Sequence, residues 1–249
     1  MKVKTLLCIN VFVLCLSSCG VSMEKSTPET QKLLSNLQLM SSRGIMFGHH
    51  DDTVYGIGWE GDEGRSDVKS VCGDYPAVIS FDLGEIELGK DENLDKVSFD
   101  KIRKEIINQY ERGGMVSLSW HARNPLTGGD AWDISDTTVV RSILPGGSRH
   151  DKFINWMDCV ATFLNSLKDP EGIKVPVLFR PWHEHTGSWF WWGEKLCSSA
   201  DYKKLWRMTV ESLKAKGVNN VLYAYSSSSN LQDSCQYLER YPGDDLIDV

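Results

Sequence analysis

Basic residues are in deficit here: 27 Lys and Arg stand against 34 Asp and Glu, for a net charge of −7, and no segment carries a basic stripe. A phosphate backbone is therefore excluded as the natural partner, and no nucleic-acid role is expected. Paired Cys-x-x-Cys spacings are missing, as is the helical His/Glu spacing of common zinc motifs, so neither a metal nor a cofactor is expected. The apolar stretch from Leu6 to Leu16 is too short to cross a bilayer as a permanent helix.

What that stretch does have is the setting of an export signal. Lys2 and Lys4 precede it and Leu16-Ser17-Ser18-Cys19 follows it. Leu-Ser-Ser-Cys resembles the lipobox of bacterial lipoproteins. The resemblance implies cleavage before Cys19, lipidation of its thiol, and a place at the outer membrane on its periplasmic or cell-surface face. An ordinary signal peptide with an incidental cysteine is the alternative. Residues 20–29 are polar and aperiodic and read as a tether. With Cys8 and Cys15 assigned to the leader and Cys19 to lipid, Cys72, Cys159, Cys197 and Cys235 remain, and three pairings into two bridges are open.

From residue 30 the pattern is α/β. Helical periodicity runs over residues 30–40, 100–114, 150–167 and 199–217, the last with Ser199 as N-cap and Gly217 as its closing glycine. Between these lie apolar, strand-forming runs at IMFGHHDD, AVISFDLGEIE, MVSLSWHARNP, VPVLF and NVLYAYSSSS, and LIDV from Leu246 would open a sixth. Such alternation predicts a parallel sheet with helices packed over it. Polar residues recur just after the strands: His49 to Asp52; Asp82 and Glu85; Trp120, His121 and Arg123; Glu184; and Tyr225 with its serines. In a (β/α)8 barrel these ends converge on one mouth.

The densest of them is RPWHEHTGSWFWWG, Arg180 to Gly193, which holds four of the nine tryptophans. If strand alternation continues through it, Leu178, Arg180, Trp182 and Glu184 share one face and Phe179, Pro181, His183 and His185 the other. A carboxylate at a strand's C-terminal end, near an arginine and stacking surfaces, suits cleavage of a glycosidic bond, with Glu184 as general acid/base. A metal site from His183, Glu184 and His185 fits poorly, because adjacent strand positions cannot all point inward.

FGHHDDTVYGIGW, SLSWHARNP, RPWHEHTGSWFWWG and YPGDDLIDV together make the chain from about Ser41 to Val249 resemble glycoside hydrolase family 26, chiefly its β-1,4-mannanases. The resemblance implies a TIM barrel, of which residues 30–249 hold about the first six βα units, and a monomeric retaining hydrolase acting on β-mannan. It implies that Glu184 is the acid/base, that His121 and His183 contact substrate, that Trp189, Trp120 and Trp192 offer aromatic surfaces, and that Arg180 supports the nucleophile. The family's nucleophile, a second glutamate on the seventh strand, matches no residue here, so the sequence is expected to be part of a longer protein and inactive by itself. β-1,3-Xylan and mixed-linkage β-glucan remain open as substrates, as does a non-catalytic glycan-binding lipoprotein.

Overall fold

A computed structural model describes residues 25–229, 231 and 233–249. The expected leader with Cys19, and the start of the tether, lie outside the described residues. Pro28–Met40 forms α1, whose N-cap Thr27 accepts a hydrogen bond from the Thr30 N–H and whose first position is proline. Then follow β1 (Gly48–His50), α2 (Asp67–Cys72), β2 (Val78–Asp82), α3 (Phe99–Glu111), β3 (Met115–Trp120), α4 (Val139–Ile143), α5 (His150–Ser166), β4 (Val177–Pro181), α6 (Ser199–Ala215), β5 (Val221–Tyr223) and α7 (Ser234–Glu239). A two-residue ladder joins Tyr55–Gly56 to Trp59–Glu60 in the loop after β1.

The five strands pair in sequence order, every pair parallel. Ile79, Phe81, Val116, Leu118, Val177 and Phe179 are buried and join the apolar faces of α3, α5 and α6 in one continuous core. The opposite face carries different chemistry. Asp82, Ser119 and Arg180 stand in register across β2, β3 and β4 at the strands' C-terminal ends, and one layer below, His50 on β1 faces Ser80 on β2. This is the arrangement of a (β/α)8 barrel in its first five strands, with a polar row where the mouth lies.

Two expectations need correction, and the open cysteine pairing is answered. No sixth strand forms at Leu246, but the chain does come alongside β5: the Asp248 N–H donates to the Tyr223 carbonyl at 2.9 Å, and Tyr225 N–H to the Val249 carbonyl at 2.9 Å. The N-cap of α6 is Ser198, whose hydroxyl accepts from the Asp201 N–H at 3.1 Å, while Ser199 is the first helical residue. Cys72, Cys159, Cys197 and Cys235 are all free thiols, so none of the three pairings is formed.

Candidate active site

The site grows from the end of β4. Strand alternation stops at Pro181, because Trp182 (φ 52°) and Glu184 (φ 53°) are both left-handed, a conformation costly for non-glycine residues, on the order of 1–3 kcal/mol each. The surroundings hold it. Trp182 is fully buried, its indole N–H donates to Thr209 Oγ1 at 3.1 Å, and its carbonyl accepts from the Tyr202 hydroxyl at 2.8 Å. Glu184 is pinned by its own N–H to the Ser226 carbonyl at 2.8 Å and by its carbonyl to the Gly187 N–H at 2.9 Å. The expected face sharing is therefore corrected: Trp182 turns beneath the site, while Glu184 still acts electrostatically on Arg180.

Arg180 donates to Ser226 Oγ at 2.9 Å. Burial lowers its pKa from the ordinary arginine value, and Glu184 and Asp82 act the other way. Asp82, its neighbour but one in the register row, is 1% exposed. Burial alone would raise its pKa. The His121 ring, the Ser119 hydroxyl at 2.5 Å and the Gly84 N–H at 2.6 Å outweigh that and hold it well below the usual carboxylate range.

His121 Nδ1 lies 2.7 Å from Asp82 Oδ2, and its Nε2 is 3.2 Å from His183 Nε2. With Asp82 ionised, Nδ1 of His121 carries the hydrogen. Burial, aided by Arg180 and His121, pushes His183 down to about 3, so its ring is neutral near pH 7, and the Nε2–Nε2 contact joins the two rings. The three residues form one chain, Asp82 to His121 to His183, across β2, β3 and the turn after β4.

Glu184 Oε2 accepts the Trp189 indole N–H at 2.9 Å, and Trp189 is 41% exposed. Trp120 and Trp192, expected as further sugar surfaces, are 0% exposed. Their indole N–H groups are satisfied inside, by Glu87 Oε2 at 3.0 Å and the His183 carbonyl at 2.8 Å. They are the floor under the site. The second exposed indole belongs instead to Trp132, 47% exposed and stacked on His121 at 5.0 Å with rings 12° apart. Sequence reasoning passed over it, although an indole inside the polar GGDAWD loop was a legible signal.

His183, Glu184 and His185 do not converge. His185 is sandwiched between Tyr202 and Tyr225 at 4.7 and 4.6 Å, away from the His121 contact of His183. The arrangement as a whole offers one half-buried carboxylate, a nearby guanidinium, a pair of linked imidazoles and two exposed indoles. It can transfer a proton at Glu184 beside flat apolar surfaces.

Comparison with known proteins agrees with this chemistry. The sequence profile of glycosyl hydrolase family 26 matches residues 23–249. The structure of a GH26 β-mannanase from Bacteroides ovatus superposes with a TM-score of 0.87 at 66% identity, covering 89% of this chain and 64% of that one. A mannan endo-1,4-β-mannosidase of Bifidobacterium adolescentis is 37% identical over 240 residues, 94% of this chain and 24% of that protein. Endoglucanase H of Acetivibrio thermocellus is 29% identical over 144 residues, 56% of this chain and 13% of that protein. The chain thus spans under two thirds of the length of each.

Proposed function

This chain belongs to glycosyl hydrolase family 26, and from that premise we propose that the protein it comes from is a retaining endo-β-1,4-mannanase with Glu184 as general acid/base. The observation that carries the reading is Glu184 itself, fixed at the end of β4 by backbone bonds on both sides, bonded to Trp189 and acting on Arg180.

In the first step Glu184 gives its proton to the glycosidic oxygen as the C–O bond breaks, while a second carboxylate attacks the anomeric carbon and forms a glycosyl ester. In the second, ionised Glu184 takes a proton from water, and that water displaces the carboxylate from the anomeric carbon. Because Oε2 accepts from Trp189, Oε1 is the oxygen assigned to the moving proton. The second carboxylate must sit about 5–5.5 Å away. We assign it to a segment outside residues 1–249, where Arg180 would favour its ionised form. Asp244 and Asp245 are engaged elsewhere, by the Tyr241 hydroxyl at 2.8 Å and by Arg207 at 3.1 Å. His121 and His183 are proposed to hydrogen-bond sugar hydroxyls, and Trp189 and Trp132 to stack on sugar faces. The lipid anchor at Cys19 and export to the outer membrane belong to the same proposal.

The test is a substrate panel on the native protein: linear β-1,4-mannan, β-1,3-xylan and mixed-linkage β-glucan, with product anomers followed by NMR. Mannan oligosaccharides released first as the β-anomer are expected. The α-anomer first would refute retention, and binding without hydrolysis would make the protein a glycan binder. Similarity to endoglucanase H supports one second reading, cleavage of a glucan, and preference for the glucan in the panel would establish it.

A further inference from the structure

At the end of β1, beside the sugar site, lies a group of side chains that glycoside hydrolysis leaves without a task. We propose that His50, Asp51 and Asp95 bind one divalent transition-metal cation. One ligand atom from each of the three lies within 4.8 Å of the others. His50 Nδ1 is 2.7 Å from Ser80 Oγ, which orients the ring and leaves Nε2, 3.3 Å from Asp51 Oδ2, as the available donor atom.

Asp51 supplies the independent sign of a missing ligand. It is 0% exposed, and neither of its carboxylate oxygens has a partner in full hydrogen-bond geometry, the favourable groups beside it being the His50 ring at 3.3 Å and the Tyr55 side chain. A buried carboxylate so incompletely bonded is costly, and such groups in proteins are paired, bonded or bound to a metal. The neighbouring charges are mixed: His50 and the Tyr55 side chain favour the carboxylate, and Asp95 and Asp82 oppose it. A divalent cation would satisfy the orphaned oxygens and offset the repulsion at once.

The donor set chooses among cations. One imidazole and two carboxylates fall short of the six to eight oxygens that calcium takes, and suit zinc or manganese with positions left for water. Bound there, the cation would tie the end of β1 to the loop after β2. That loop is already fastened beside Asp82, through Asn93 Nδ2 to the Asp82 carbonyl at 3.1 Å and Leu94 N–H to the Gly84 carbonyl at 3.2 Å. Its role would be to hold the wall next to the Asp82–His121 pair.

The experiment is calorimetric titration of ZnCl2 into the native protein after EDTA treatment, with thermal melts alongside. Binding of one Zn2+ per chain is expected, weakened about tenfold or more by Asp95→Asn, an exposed position whose change does not threaten the fold. Zn2+ should raise the melting temperature of the parent and not of Asp51→Asn. Absence of binding, or equal affinity in the parent and Asp95→Asn, would overturn the proposal. So would binding lost only in His49→Ala, which would move the ion to the His49–Asp52 pair. No readout depends on sugar hydrolysis, so failure here and failure of the mannanase reading are separable.

Discussion

Asp82 keeps its charge in a place without water because the Gly84 N–H, the Ser119 hydroxyl and both the backbone N–H and ring of His121 point at it. His183 and His185 show the reverse case, neutral rings kept neutral by burial, each with its pKa pushed down to about 3. The signs of these effects agree. The depressed Asp82 contributes stability above the ordinary aspartate value of about 3.9 and loses it as pH falls further. An unfolded histidine takes up its proton near pH ~6.5, so each buried ring withdraws stability as pH falls from there towards its folded value. Stability should therefore drop steadily on acidification below pH ~6.5. His185 has no hydrogen-bond partner at either nitrogen and lies between two tyrosine rings. His185→Phe should keep stability at pH 7 within about 1 kcal/mol and flatten the loss at pH 5, as read from urea melts at both values. Trp189→Phe retains an aromatic face and removes the donor to Glu184. It should lower kcat of the native protein on mannan by about tenfold and leave KM within about twofold, a split that steady-state kinetics resolves.

At the scale of elements, the strands and helices were legible because their apolar periodicities differ and each segment keeps to one. The five strand runs and the four long helices all form where the pattern puts them. What escaped was geometry without a side-chain signature. Nothing in Trp182 or Glu184 as residue types announces a left-handed backbone, so alternation was carried past Pro181, where the strand ends. At the start of α6, two successive serines are equally good caps on paper. The hydrogen bond from the Asp201 N–H selects Ser198, while the Ser199 hydroxyl donates to the Glu239 carbonyl at 2.6 Å. Ser198→Ala should cost about 1 kcal/mol in denaturant unfolding, the ordinary worth of an N-cap. An equal or larger loss from Ser199→Ala would reverse the assignment.

Across the whole molecule, the site is where five parallel strands deliver their polar ends to one side. The groups read from sequence at that mouth, Glu184, Arg180, His121 and His183, do meet there, since strand order alone brings them together. Tryptophan was the ambiguous letter. Composition cannot tell an indole that faces solvent from one that finds its acceptor inside, and so Trp120 and Trp192 belong to the floor while Trp132 belongs to the rim. Everything proposed for the mouth turns on proton transfer at Glu184. It is tested most directly by comparing the native protein with Glu184→Ala on unactivated mannan and on an aryl β-mannoside with a good leaving group. Turnover of mannan should fall by roughly 10²–10⁴-fold, the usual contribution of a positioned acid, while the first, glycosylation step on the activated substrate survives. Undiminished mannan hydrolysis in Glu184→Ala would contradict it.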